Sequence, residues 1–302
     1  MTNEKWIITR RDFMRGTVGA AIGASLGASL LGVERAFGAE NMAPSSVVTV
    51  VRNEKVMDAQ GTTIDGKILR AMLDQTVMLT TGEKNAKDAW LRLVKPEDKV
   101  GIVPTQALNP THTELYDALV ASLVEAGIPK NNISNVQGRI SSSRVGSCTA
   151  LISLPALKAH WLTGIGTVIK NYIMFSGRPT HYHGEDSDKL GEIWHQPNVK
   201  GKTRLVLVDA LHPLCDKGPQ VDPRYKWAYN GLIAGKDPVA VEAVCVRILE
   251  EKRRMLHGEP WPLSPPPLCL EAADRVYHLG TSKLNEIRIK HVGWAKDHLL
   301  PV

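Results

Sequence analysis

The sequence predicts an α/β fold with a mainly parallel open sheet and helices on both faces of that sheet. Short apolar segments rich in β-branched residues recur along the chain, which is typical of buried strands. Between them lie longer segments with apolar residues three or four positions apart, which indicates amphipathic helices. Strands that alternate with helices favour a parallel sheet covered on both sides. The predicted strands are 47–51, 100–103, 133–136, 150–154 and 205–208, and the predicted helices are 64–79, 85–93, 113–125, 163–174 and 238–251.

Two of these helices carry boundary signals. In 113–125 leucines recur every four residues, and Gly127 follows as a typical end signal. Asp237 stands where a side-chain cap is needed before 238–251, and Pro238 suits the first helical position because its missing N–H would be unpaired there anyway. We therefore predict helices at both places.

A polar, histidine-rich segment interrupts the alternation at about 176–202 and contains Pro179 and Pro197. We predict a long loop or small excursion there, and long loops in compact domains are often functional. The segment 259–267 has five prolines in nine residues and is interpreted as a rigid surface connector.

The N-terminus has the pattern of a twin-arginine export signal. Arg10 and Arg11 precede Phe13, an uncharged and mildly apolar stretch follows at 16–33, and small residues surround position 38. A retained membrane anchor would need about 20 strongly apolar residues, and this stretch is short and rich in Gly and Ala. We predict a removable signal peptide at residues 1–39, a single α/β domain at 40–302, and a periplasmic or otherwise exported protein.

The charge of the predicted mature chain is modest. Residues 40–302 carry 32 Lys and Arg against 28 Asp and Glu, since 5 of the 37 basic and 3 of the 31 acidic residues lie in the signal. A net charge of +4 does not favour a nucleic-acid partner. The triplet 252–254 is interpreted as the solvated end of a helix, and no second apolar segment long enough to span a membrane follows the signal.

The chain has four cysteines, Cys148, Cys215, Cys245 and Cys269. The absence of any Cys-x-x-Cys pattern excludes a local zinc or iron–sulfur nest of the usual kind. We interpret the four as buried small apolar residues, with one disulfide left open as an alternative.

Polar residues follow several predicted strands. Ligands of open α/β sheets bind outside the carboxyl ends of the strands, so these residues are candidates for a site. They are Thr105 and Gln106, Gln137 and Arg139, Lys158 and His160, and Asp209 and His212.

The densest set of such residues lies between Leu154 and Gly184. The motifs Pro155-x-Leu-Lys-x-His160 and Thr163-Gly through Lys170-Asn171 are followed shortly by a histidine, and later by Val208-Asp-Ala and Asp237-Pro-Val-Ala. In this combination the chain resembles domain-of-unknown-function family 362 over roughly 47–289. The resemblance implies an exported or cytoplasmic α/β protein, which in many members is tied to a ferredoxin-like cluster segment that this chain lacks.

The chain departs from the pattern of that family at two strand ends. The family usually has a lysine and an asparagine where Val103, Pro104 and Thr105 stand. It usually has an acidic residue where 137–139 reads Gln-Gly-Arg. These departures favour a member that has kept the fold and lost part of a shared site.

Three basic residues surround a glycine turn and predict a site for a small anion. Lys158, Lys170 and Arg178 supply positive charge, and Gly164 and Gly166 let the backbone approach a ligand. We name Asn171, Arg178 and Asp209 as candidate ligand-binding residues. The alternative is that Lys170 and Asn171 only fix the turn.

A second hypothesis for the same region is a transition-metal site. His181 and His183 stand two positions apart, which in an extended segment puts both rings on one face, and His160 arrives from a strand end. Neutral imidazoles suit zinc, copper, nickel or iron. The alternative is a solvated loop with two surface histidines.

Two functions follow from these observations. The first is an exported, metal- or anion-dependent enzyme whose catalytic residues are Lys158, His160 and Lys170. The second is a non-catalytic ligand-binding or accessory subunit of a periplasmic or redox complex. The kept Lys-x-His and Lys-Asn motifs favour the first, and the departures at 103–105 and 137–139 favour the second.

Overall fold

The computed structural model describes residues 46–58, 60–137 and 141–300. The predicted signal peptide and its cleavage position lie outside the described residues. Within the described ranges, no helix is both long and apolar enough to cross a membrane.

A nine-stranded sheet forms the centre of the described chain. The order is β3-β2-β4-β7-β8-β1-β9, and β5 pairs with β7 and with β6. Five of the eight pairings are parallel, which confirms the predicted α/β class. The strands are β1 (Ser46–Arg52), β2 (Val100–Pro104), β3 (Ile133–Asn135), β4 (Ala150–Leu154), β5 (Ala156–His160), β6 (Gly164–Ile165), β7 (Thr203–Leu214), β8 (Gly231–Gly235) and β9 (Ile287–Gly293).

Four strands were not predicted, namely β5, β6, β8 and β9, and β8 changes the topology. β8 is a five-residue segment with glycine at both ends, so it lacks the β-branched signature of a strand, and it runs antiparallel to both β7 and β1. β9 is an edge strand in which apolar and polar residues mix, and it pairs in parallel with β1.

Helices cover both faces of the sheet, as predicted. On one face Leu69, Trp90 and Leu115, each from a different helix, pack in one apolar cluster. On the other face Val244 and Cys269 pack in a second cluster. The helices are α1 (Gly66–Thr81), α2 (Ala86–Leu93), α3 (Thr113–Glu125), α4 (Ser141–Ser147), α5 (Gly191–Trp194), α6 (Pro238–His257) and α7 (Leu268–Arg275).

Helix α6 begins as predicted but ends later. The Asp237 carboxylate accepts hydrogen bonds from the N–H groups of Val239 and Ala240, and Pro238 is the first helical residue. The predicted solvated end at 252–254 is wrong for Arg253, which is only 2% exposed. The proline-rich segment 259–267 folds back over Arg253 and supplies carbonyl acceptors to its guanidinium.

The predicted helix at 163–174 is also wrong in its first half. Gly164–Ile165 forms β6 against the end of β5, and a 3₁₀ helix then spans Ile169–Ser176. Gly164 has a φ of 74°, and a side chain there would meet the backbone of Pro265 and Pro267. The backbone of this turn packs directly against the backbone of 265–267, and only glycine permits so close an approach at this φ.

The segment predicted as a loop at 176–202 is folded into short helical turns. Its 3₁₀ helices are Pro179–Tyr182 and Gly184–Leu190, followed by α5. Because His181 lies in a helical turn, the extended geometry that would put His181 and His183 on one face does not occur.

Candidate functional site

A cavity of about 490 Å³ opens at the carboxyl ends of β2, β3 and β5. This is the edge of the sheet at which the sequence predicts ligand binding. Its walls come from the loops after these strands, from the 3₁₀ helix Ile169–Ser176 and from the segment around Pro219. The lining residues are Thr105, Gln106, Ala107, Leu108, Gln137, Lys158, His160, Trp161, Leu162, Gly166, Lys170, Asn171, Ile173, Met174, His183, Pro219 and Gln220.

Lys158 is fixed at the floor of the cavity by backbone carbonyls. Its Nζ donates to the carbonyl of Leu108 at 2.6 Å, and to those of Ala107 and Asn109 at 3.3 and 3.4 Å. Leu108 and Asn109 have φ angles of 55° and 65°, which is an uncommon conformation for side chains of this kind. The backbone strain is located where the loop turns its carbonyls toward the lysine.

Lys170 enters the same cavity without a polar partner. Its ammonium makes no hydrogen bond or ion pair with any residue that the structure describes. Burial lowers the pKa of Lys170 to about 8. Burial, and secondly the charge of Lys170, lowers the pKa of Lys158 to about 7. The charged ammonium form of both lysines is therefore destabilised by burial. A bound anion would stabilise that charged form again.

Two histidines complete the basic lining. The rings of His160 and His183 have centroids 5.5 Å apart. Burial and then the neighbouring Lys170 lower the pKa of His160 to about 3, and the same two causes lower the pKa of His183. Both rings are therefore neutral near pH 7.

The hydrogen bonds assign a tautomer to His160. Its Nδ1 accepts from the N–H of Leu162 at 3.2 Å, so its Nε2 carries the proton. The Nδ1 of His183 donates to the carbonyl of Pro179 at 2.9 Å. His160 therefore presents one hydrogen-bond donor, which suits an anion.

Asn171 ties the cavity wall to the sheet. Its amide nitrogen donates to the carbonyl of Val103 at 2.8 Å and to the Oγ of Ser153 at 2.9 Å. These bonds anchor the 3₁₀ helix Ile169–Ser176 to β2 and β4. Because Asn171 also lines the cavity, the same bonds set the position of its neighbour Lys170.

Glu242 supports the wall of the cavity from behind, and sequence reasoning missed it. It lies fully buried on α6, and its carboxylate accepts from the N–H groups of Val168 and Ile169 at 2.8 and 3.1 Å. These are the unpaired donors at the start of the 3₁₀ helix that carries Lys170. Burial raises the pKa of Glu242 to about 7. One signal for it was available, since an acidic residue interrupts the apolar run 238–245.

Two predicted ligand-binding residues lie elsewhere. Arg178 is exposed and lines a neighbouring cavity together with His181. Asp209 is buried, and its Oδ2 accepts from the backbone N–H of His112 at 2.7 Å and contacts the Nδ1 of His112 at 2.8 Å. Asp209 therefore holds the start of α3, and neither residue lines the cavity of Lys158.

The predicted metal set is not brought together. His160 and His183 are neighbours, but His181 lines the other cavity. Within the described ranges, no group of three or more His, Cys, Asp or Glu residues is placed to hold a metal ion. Metal binding by His160, His181 and His183 stays a prediction, which metal analysis of the purified protein would test.

One residue from each of the two departures noted in the sequence lines the cavity, Thr105 from 103–105 and Gln137 from 137–139. Residues 138 and 139 lie outside the described residues. Of the described lining residues, none is acidic, so the two lysines face no carboxylate within the cavity.

These features define an α/β protein with a basic cavity at the carboxyl ends of its strands. The family described as "Domain of unknown function (DUF362)" matches residues 127–247, which supports the family resemblance over about two fifths of the chain. The matched range includes Lys158, His160, Lys170 and Glu242. Comparison with curated proteins and with solved structures gave no match.

Proposed function

We propose that this protein binds a small anion, such as a carboxylate or phosphate, in the cavity between Lys158 and Lys170. The observation that carries the proposal is the lining itself, which has two lysines and two histidines and no acidic residue among the described ones. Buried charges normally occur paired. A cavity whose two lysines meet no carboxylate among the described lining residues therefore favours an anionic partner.

The lysines have different roles in this proposal. Lys158 is already held by three carbonyls, which face the protons of its ammonium group. Lys170 has no such partners and is the cation left for the ligand. The Nε2–H of His160 supplies a neutral donor beside them. A metal dication would instead be repelled by both lysines, so the anion is the better match.

Inorganic phosphate should stabilise the parent protein and should stabilise Lys170→Gln much less. Ligand at 100 times its Kd adds about 2.7 kcal/mol, and for a protein of this size that raises Tm by roughly 5–10 °C. The measurement is Tm against phosphate concentration at constant ionic strength. Lys87→Gln is the control, since Lys87 is exposed and its loss removes the same charge.

The response should also depend on pH in one direction. An anion favours the protonated form of Lys170, whose pKa lies at about 8. Phosphate binding should therefore weaken as the pH rises above 8. A phosphate shift equal in Lys170→Gln and the parent would show that the anion binds elsewhere.

We also propose that the chain is exported through the twin-arginine route to the periplasm, where this site would meet its ligand. Arg10→Lys combined with Arg11→Lys should leave an uncleaved precursor in the cytoplasm. Arg15→Lys, a nearby change outside the pair, should be exported as the parent is. Normal appearance of the double variant in the periplasm contradicts the proposal, and fractionation with immunoblotting measures it.

A further inference from the structure

The mouth of the basic cavity carries two large exposed apolar side chains. Trp161 is 56% exposed and Leu108 is 51% exposed, and both line the cavity. Exposing such side chains to water is unfavourable, and a cluster of them on a surface marks a place for a partner or ligand. Ile173 and Met174 extend this apolar wall inward.

The backbone of both residues is fixed by hydrogen bonds. The N–H of Trp161 donates to the carbonyl of Gly218 at 2.7 Å. The carbonyl of Leu108 accepts from Lys158, and its φ of 55° turns the residue at the rim. The indole of Trp161 itself has no hydrogen bond or ring contact with any described residue. Its ring is therefore positioned at the cavity mouth and left available.

The cavity is larger than a simple anion requires. A volume of about 490 Å³ lies within the range of roughly 300–1,000 Å³ typical of sites for drug-sized ligands. An inorganic phosphate between Lys158 and Lys170 would leave the outer part of the cavity, beside Trp161, to another group.

We infer that the ligand is an aryl-bearing anion, with its acidic group between the two lysines and its ring against Trp161. This inference rests on the proposed function, because it adds a second contact to the same anion site. Charge complementarity fixes the orientation, since the floor is basic and the rim is apolar. Stacking on the indole gives selectivity for an aromatic ring over an anion without one.

The test compares each acid with its aryl form on the parent protein. Phenyl phosphate should bind about tenfold more tightly than inorganic phosphate, and phenylacetate about tenfold more tightly than acetate, by calorimetry or quenching of tryptophan fluorescence. Trp161→Ala should remove this gain for both acids and leave phosphate and acetate binding as in the parent. Trp161→Phe, which keeps an aromatic face, should retain part of the gain.

Three other outcomes would overturn the inference, and each can be distinguished from the others. Equal affinity for phosphate and phenyl phosphate would remove the aryl contact and leave the anion site. An aryl gain that persists in Trp161→Ala would place the ring elsewhere. Failure of every anion to bind the parent would overturn the proposed function and this inference together. Trp161 is exposed, so its variants are expected to fold, and their Tm without ligand confirms it.

Discussion

Arg253→Met should cause the largest loss of stability of any single change considered, about 3–5 kcal/mol, because it breaks a buried ion pair from one side. The guanidinium donates to the carbonyls of Cys215, Trp261 and Pro262 at 2.9–3.1 Å and to Asp216 at 2.5 Å. It also stacks 3.8 Å from the ring centre of Trp261. Methionine can fill the volume but leaves these acceptors without a donor.

The matched control for Arg253→Met is Arg254→Met on the next position of α6. Arg254 is half exposed, and among the described residues its side chain pairs only with Glu251, so its loss should cost less than about 0.5 kcal/mol. Denaturant unfolding of both variants gives the comparison. Similar stabilities for the two variants would contradict the importance assigned to the buried arginine.

Arg253 should also affect the cavity, although it does not line it. The residues that it holds, Cys215 and Asp216, precede Pro219 and Gln220, which form part of the cavity wall. At a temperature low enough for Arg253→Met to remain folded, this variant should therefore bind phosphate more weakly than the parent protein.

Glu242→Gln should give the second large effect, about 1–3 kcal/mol at pH 5. The carboxyl accepts from two backbone N–H groups, and a glutamine amide turns an NH₂ group toward one of them. The start of the 3₁₀ helix then loses a partner, and Lys170 loses part of its support. Phosphate affinity should fall together with stability.

The cost of Glu242→Gln should shrink as the pH rises. Burial raises the pKa of the folded Glu242 to about 7 from an ordinary 4.5, so the folded state binds this proton more tightly than the unfolded state does. The parent therefore loses stability between pH 4.5 and pH 7, by about 3 kcal/mol in all at 1.36 kcal/mol per pKa unit. The variant does not titrate there, so the two stabilities should converge toward pH 8.

Glu54→Gln is the control for this pH dependence, since Glu54 is exposed and its side chain has no hydrogen-bond or ion-pair partner in the part of the chain that the structure describes. Its stability should follow that of the parent at every pH. A constant difference between the parent and Glu242→Gln from pH 5 to pH 8 would show that Glu242 does not titrate in this range.

Local sequence pattern predicts the fold class and the core of the candidate site for a physical reason. Lys158, His160, Lys170 and Asn171 fall within 14 consecutive positions, on a strand end and the turn that follows it. Such residues stay close whatever the rest of the chain does. Arg178 is only seven positions after Asn171, yet the 3₁₀ helix ending at Ser176 directs it into a neighbouring cavity.

The contributions that sequence pattern did not predict come from distant parts of the chain or from the backbone. Glu242 arrives from α6, and the burial of Arg253 depends on the fold-back of 259–267. The acceptors of Lys158 are carbonyls, and every residue has one, so no residue type marks them. β8 was missed because its central position in the sheet, between β7 and β1, supplies the stabilisation that its own composition does not.

The pairing of β1 with β9 affects how the chain can fold during synthesis. Ser46 is opposite Ile287, so the first described strand must wait for a partner that is made 241 residues later. At roughly 5–20 residues per second, that wait lasts roughly 12–48 s. During it one edge of β1, a valine-rich strand, has no partner and can template pairing with other chains. The edge of β1 is therefore covered only after β9 has been synthesised, and the nascent chain is vulnerable to aggregation until then.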